Sequence, residues 1–211
     1  MIGALLSAAI FAAQLAAVPA PVRPSADAAL TALAQAYFAY AWRDNPVQAT
    51  NAGVHTYDDK LGSYSGAAYR ARVSTAKSYL RALWAIDRRR LSTESNYDFA
   101  IFDSRLRAAI LALQTEQNWR HHPSSYTGAA SNAIFSLIKR DYAPLAVRMR
   151  AAIARERLIP GLLADGAANI TTVDPTTAQI EAADIKGSIV FFRRSYRRRW
   201  QMWVIRCCNP N

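Results

Sequence analysis

The sequence has few of the residues that build disulfide frameworks and metal sites. Its two cysteines, Cys207 and Cys208, are adjacent and near the end of the 211-residue chain. The preceding residues therefore have no disulfide framework and no cysteine-based metal site. Three histidines occur, His55, His121 and His122. Adjacent histidines on a regular element point apart, so a zinc site would also have to include aspartate or glutamate.

Acidic residues are also scarce. The chain has 15 acidic and 26 basic residues and a formal net charge of +11, of which six charges are arginines in the acid-free tail at residues 193–211. The remaining residues are mildly basic and contain no further basic motif, so we expect no nucleic-acid binding.

The tail at residues 193–211 has three open interpretations. It is a basic aromatic segment that binds phosphate or an anionic membrane surface, a disordered end, or a run of out-of-frame residues after a frameshift. It has no amphipathic period and no helix cap. Trp200, Trp203, Val204 and Ile205 would be exposed apolar residues, which a soluble tail usually avoids. This observation favours the third interpretation.

Residues 1–20 are uncharged and apolar. They are typical of a secretory signal peptide, which predicts an exported, periplasmic or secreted protein. Two features count against cleavage: no Lys or Arg precedes the apolar run, and Pro21 follows the best cleavage triplet, Val18 to Ala20. The alternative is an uncleaved N-terminal membrane anchor, because about 20 apolar residues can span a bilayer.

The sequence predicts an all-α protein, an irregular bundle of five or six helices at residues 26–192, after a proline-rich spacer at 21–25. Apolar residues recur at helical spacing in several segments. Asn45, Ser92 and Asp174 are predicted helix N-caps, and Gly53 is placed to end the short helix after Asn45. We expect a loop at residues 124–131 and a short helix at 133–139.

Residues 141–170 predict an amphipathic helix that kinks at Pro160. Leu145, Met149, Ala152 and Ile153 form its apolar stripe. Four arginines lie largely off that stripe and are expected to face water: Arg148, Arg150, Arg155 and Arg157.

The loop that follows Gly53 concentrates polar side chains and is the one candidate site, formed by His55, Tyr57 and Asp58. A histidine beside carboxylates can bind a metal or transfer protons. However, a zinc site needs at least three protein ligands, and this spacing supplies no complete set. The residues favour a loop whose polar side chains hold its own turns. We therefore predict no catalytic residue, no metal ligand and no cofactor in this chain.

Several short motifs occur in a recognisable order. They are Asn45-Pro46 with Ala49-Thr50, the segment from Gly53 to Asp59, Tyr97-Asp98, and the Asp-Tyr-Ala-Pro-Leu run from Asp141, which precedes an Arg-rich helix and Ile159-Pro160. Together, across about residues 29–192, they resemble the bacterial domain of unknown function 885 family.

The resemblance implies a mostly helical protein related to zinc metallopeptidases, whose zinc motif, His-Glu-x-x-His, this sequence lacks. We therefore expect the N-terminal helical part of a larger metallopeptidase-like fold, truncated before the zinc motif and inactive alone. Full-length relatives would bind zinc and a peptide substrate. Such a fragment would expose an apolar face along residues 180–192 and self-associate. The alternative is a stand-alone helical binding module of the cell envelope.

Overall fold

The computed structural model describes residues 25–191 and 193–194. This part of the chain is all-α, as the sequence predicts. Three predicted segments lie outside it wholly or in large part: the signal peptide or anchor at 1–20, the proline-rich spacer except for Ser25, and the tail from residue 195 onward. The α-helices are α1 (Ala26–Asp44), α2 (Pro46–Asn51), α3 (Gly66–Trp84), α4 (Thr93–Ile110), α5 (Asn118–His121), α6 (Ser124–Ile138), α7 (Leu145–Glu156), α8 (Ile159–Asn169) and α9 (Pro175–Phe191).

Seven of these helices have 11 to 19 residues, against the five or six predicted. Two differences account for the change. The predicted loop at 124–131 is the first half of α6. The predicted kinked helix is two helices, with Pro160 in the first turn of α8, where its missing N–H costs nothing. Short 3₁₀ turns lie at His55–Tyr57 and Arg88–Arg90, and a π-helical segment, Leu111–Glu116, continues α4.

The three predicted N-caps are confirmed. The side chain of Asn45 accepts a hydrogen bond from the Gln48 amide at 3.2 Å, Ser92 from Ser95 at 3.2 Å, and Asp174 from Thr177 at 2.9 Å. Because these bonds join residues three apart, the local sequence specifies them. Gly53 follows α2 with a φ of +85°, a conformation that glycine adopts without strain.

The apolar core has two main parts. The first lies between α1, α3 and α4, and its buried members include Leu30, Tyr37, Leu83, Phe102 and Leu106. The second joins α2, α6 and α8 with parts of α3 and α5, through Val47, Tyr69, Trp119, Tyr126 and Leu162. No helix among the described residues is long and apolar enough to cross a membrane.

Helix α8 packs against α6 at a glycine. A Cβ atom on Gly166 would lie 2.6 Å from Cγ of Tyr126, closer than real contacts allow. The hydroxyl of Tyr126 donates to the Trp119 carbonyl at 2.6 Å and accepts from the Asn169 amide at 3.0 Å. The tyrosine is thereby fixed, and only glycine fits opposite its ring.

Helix α9 packs on the bundle along one side only. Glu181 is buried, and its carboxylate accepts hydrogen bonds from the amide and the hydroxyl of Ser124, at 2.8 and 2.6 Å. Ile180, Ile189 and Val190 are 47% to 58% exposed. The apolar residues of α9 are thus largely uncovered within the described part of the chain.

The prediction that the four arginines in and directly after α7 face water is wrong for two of them. Arg150 and Arg157 are exposed, whereas Arg148 is 4% exposed and Arg155 is fully buried. Residues 148 and 155 are seven apart and lie beside Ala152 on the buried face. Their burial is possible because carbonyl oxygens surround both guanidinium groups, and hydrogen-bonded cations can be buried at acceptable cost.

Candidate functional site

The candidate site lies in the loop between α2 and α3, and the structure brings two of its three predicted side chains together. The Nδ1 atom of His55 lies 3.0 Å from Oδ2 of Asp58. His55 and Asp58 are at either end of the 3₁₀ turn, three residues apart, so the turn itself creates this pair. Tyr57, the third predicted residue, instead contributes its backbone carbonyl, 3.4 Å from Nη2 of Arg155.

Two residues from outside the loop complete the cluster around Asp58. The Thr50 hydroxyl donates to Oδ1 of Asp58 at 2.6 Å, and the Tyr142 hydroxyl donates to Oδ2 at 2.6 Å. The rings of Tyr142 and His55 are stacked, with centroids 3.6 Å apart and planes within 5°. The carboxylate of Asp58 therefore ties the loop to α2 and to the segment before α7.

Arg155 lies beneath this cluster and joins four parts of the fold. Nε donates to the Lys60 carbonyl at 2.8 Å, and Nη1 to the Ala133 carbonyl at 2.9 Å. Nη2 donates to the Thr50 hydroxyl at 2.7 Å and lies 4.0 Å from Oδ1 of Asp58. We call Arg155, Asp58, Thr50, Tyr142 and His55 the arginine clamp. It fastens the loop to α2, α6 and α7.

Electrostatics fix the protonation of two members of the clamp. Burial, together with the hydrogen bond to Asp58 and its negative charge, raises the pKa of Tyr142, so its phenol remains a donor at neutral pH. Burial lowers the pKa of Arg155, and the nearby Asp58 carboxylate opposes that effect. Because an arginine in a protein stays protonated, Arg155 balances the charge of Asp58.

Arg148 has a similar role at the connection between α6 and α7. Its guanidinium donates to the carbonyls of Ala143 and Arg140, both at 2.9 Å, and to Oδ1 of Asp141 at 2.5 Å.

Sequence reasoning missed four residues of these polar clusters: Thr50, Tyr142, Arg148 and Arg155. For the two arginines a signal was present in their seven-residue spacing beside the apolar stripe. Thr50 and Tyr142 lie in two of the ordered motifs, but nothing in those motifs places them beside Asp58.

The histidines do not converge on a zinc site. His121 lies 2.9 Å from the Thr172 hydroxyl, and His122 lies 3.3 Å from the Glu181 carboxylate, which is already engaged by Ser124. Across residues 25–191 and 193–194, no three His, Cys, Asp or Glu side chains are grouped so that they could hold a metal ion. The residues of this part of the chain therefore do not fit zinc, which needs at least three protein ligands.

The fold and the clamp together define an all-α protein whose most prominent polar cluster holds structural segments in place. The chain belongs to the family described as "Bacterial protein of unknown function (DUF885)", whose sequence profile matches residues 46–189. The family resemblance carried by the ordered motifs is thus confirmed, whereas the zinc-peptidase relationship and the truncation stay predictions.

One solved structure shares the fold. It is described as "a putative lipoprotein of unknown function" from Shewanella oneidensis, with a TM-score of 0.69 and 21% sequence identity. The alignment covers 79% of this chain and 29% of that chain, so this chain spans less than a third of the length of the protein it resembles. No curated protein matches the sequence.

Proposed function

We propose that this chain is the helical, non-catalytic part of a larger peptidase-like protein of the cell envelope. The observation that carries the proposal is the arginine clamp. Asp58 already accepts hydrogen bonds from Thr50 and Tyr142 and lies 4.0 Å from Arg155, and His55 is paired with Asp58. Metal-assisted hydrolysis needs a cation that activates water, and in such a protein its ligands would come from another part.

Two observations support an envelope location. Residues 1–20 have the composition of an export signal or anchor, and the protein of similar fold is described as a lipoprotein.

The exposed apolar side of α9 supports the placement within something larger. Ile180, Ile189 and Val190 would be covered by a further part of the protein in a longer relative, and by a second copy when this chain is alone. We therefore expect the purified chain to self-associate in size-exclusion chromatography with light scattering, and Ile180→Lys to shift it toward monomer. A wild-type chain that runs as a monodisperse monomer would refute this point.

A hydrolysis assay tests the proposed function. The purified chain is incubated with fluorescein-labelled casein, with added zinc or with a chelator, beside a His55→Ala variant. We expect all samples to match the buffer blank. Hydrolysis that the chelator abolishes and that His55→Ala lacks would overturn the proposal, because the loop would then be part of a catalytic centre.

The other candidate is a stand-alone helical binding module, which would contact a partner through the loop at residues 55–64. The clamp counts against the first half of this loop, because His55 and Asp58 are engaged within the fold. The second half ends at Tyr64, which borders a cleft, and a binding role is therefore better sought there.

A further inference from the structure

A half-enclosed cleft of about 540 Å³ opens between α1, α3 and the end of α4. It is separate from the arginine clamp, none of whose five residues lines it. Six aromatic side chains line it: Tyr37, Phe38, Tyr40, Trp42, Tyr64 and Tyr69. This volume is in the range of small-molecule sites, which are mostly apolar with a few placed polar groups.

The cleft exists because small residues face each other where the three helices meet. Ala41 of α1, Ala76 of α3 and Ala109 of α4 line it, together with Ala112 of the π-helical segment. Longer side chains at these positions would fill the space between the helices, as they do in the core around Leu83 and Leu106.

The aromatic walls are held in place by neighbouring rings. Phe38 and Trp42 pack with centroids 5.7 Å apart, and Tyr69 is stacked on Trp119 at 4.7 Å. Burial raises the pKa of Tyr40, Tyr64 and Tyr69. The phenols of these three residues therefore stay neutral at physiological pH and do not repel an anion.

The charges at the cleft favour a negative ligand. Arg72 binds Asp44 through Nε and the Ser63 carbonyl through Nη2, both at 2.6 Å. Its guanidinium lies over the ring of Tyr69, 5.0 Å from the centroid, and Nη1 takes part in neither of these hydrogen bonds. Arg105 is exposed and lines the same cleft, with its guanidinium 6.0 Å from the centroid of Phe38. Two arginines against one aspartate leave the lining with a net positive charge.

We propose that this cleft binds aromatic carboxylates, with the ring of the ligand between the aromatic walls and its carboxylate toward Arg72 and Arg105. Aromatic faces favour a flat apolar body, and arginine is suited to carboxylates because its planar donors match the two oxygens. A free aromatic acid and the C-terminal aromatic residue of a peptide present the same chemistry.

Isothermal titration of the full chain tests the proposal with ligands that differ only in charge. N-acetyltryptophan is compared with N-acetyltryptophanamide, and a tetrapeptide that ends in tryptophan is compared with its C-terminal amide. We expect at least one acid to bind roughly tenfold more tightly than its amide, a difference of about 1.4 kcal/mol. Binding of the free acid alone would assign the site to small acids, and binding of the peptide alone to peptide ends.

Two variants locate the binding. Ala109→Leu places a larger side chain in the cleft and should abolish binding, while Ala82→Leu, on the exposed face of α3, is the matched control and should bind as the wild type does. Arg105→Gln should weaken the acid without changing the amide. Arg105 is preferred to Arg72 because Arg72 also holds Asp44, and circular dichroism checks that each variant folds.

Three results would overturn the proposal. The first is that neither acid binds. The second is that acid and amide bind equally, since the arginines would then take no part. The third is that a correctly folded Ala109→Leu binds as tightly as Ala82→Leu, since the ligand would then lie elsewhere.

Discussion

Replacing Arg155 by methionine is the sharpest perturbation of the arginine clamp. Methionine keeps much of the side-chain length and is apolar, so the change removes the charge and the five N–H donors without leaving a large cavity. The side chain is fully buried, and water cannot replace the lost bonds without opening the structure.

The expected cost is set by the partners left behind. The part-buried Lys60 carbonyl loses its donor from Nε, which costs about 1 kcal/mol, the lower end of the range for an acceptor left without a partner. The Asp58 carboxylate loses its buried counter-charge but keeps Thr50 and Tyr142. Removal of one partner of a buried ion pair typically costs about 3–5 kcal/mol. We expect a loss within that range, a large share of the roughly 5–15 kcal/mol that stabilises a domain.

Urea unfolding followed by circular dichroism measures the effect. Arg150→Met is the matched control, because Arg150 is on the same helix and exposed, and its loss should be within about 0.5 kcal/mol. Arg155→Lys should fall between wild type and Arg155→Met, because an ammonium group keeps the charge but cannot reach all the acceptors.

A double-mutant cycle with Asp58→Asn isolates the contribution of the ion pair. We expect the two changes to be non-additive by about 0.5–3 kcal/mol, as is usual for residues in one network. If Arg155→Met costs less than about 1 kcal/mol, the guanidinium does not hold these segments together, and the role assigned to the clamp is wrong.

Three further predictions concern separate parts of the fold. Because burial and Asp58 raise the pKa of Tyr142, its protonated phenol stabilises the fold up to about pH 10, the usual tyrosine pKa, and this contribution is lost as the pH rises further. Tyr142→Phe should therefore reduce the fall of the urea midpoint above pH 10. Tyr97→Phe, at an exposed tyrosine, is the control, and an unchanged fall in Tyr142→Phe would contradict the prediction. Gly166→Ala should destabilise the protein by about 1–3 kcal/mol, because the added Cβ would be too close to Tyr126. Gly161→Ala should be neutral or stabilising, because an added Cβ there meets no atom within 4 Å. Equal effects of the two substitutions in thermal unfolding would count against the packing described. Glu181→Ala removes two hydrogen bonds that hold α9 to the start of α6. A protease should therefore cut within α9 faster in this variant than in the control Asp184→Ala, which changes an exposed residue of the same helix. Equal cleavage rates would show that the Glu181 carboxylate does not hold the helix.

Elements with a local cause were predictable from the sequence. The caps at Asn45, Ser92 and Asp174 each join residues three apart, and the His55–Asp58 pair spans one turn. The start of α6 was not predictable. Its first amide is capped by Glu181, 57 residues away, so a stretch of small polar residues that looks like a loop is helical.

The burial of Arg155 was not predictable for the same reason, because it depends on partners far away in the sequence. A helical pattern places Arg155 at the edge of the apolar stripe, but the acceptors that permit its burial include Lys60 and Pro46, 95 and 109 residues away. Tyr142, which completes the cluster around Asp58, is 84 residues from it. Sequence spacing thus identified the polar loop, but its function as a clamp depends on contacts that only the fold brings together.

A zinc titration against a fluorescent chelator decides whether the polar loop holds the fold or holds a metal. The full chain should carry Cys207→Ser and Cys208→Ser, so that the two thiols cannot contribute. We expect no stoichiometric zinc binding at micromolar concentrations, because Asp58 is engaged by Thr50, Tyr142 and Arg155. One equivalent of tightly bound zinc that disappears in a folded His55→Ala variant would contradict the structural role of the loop.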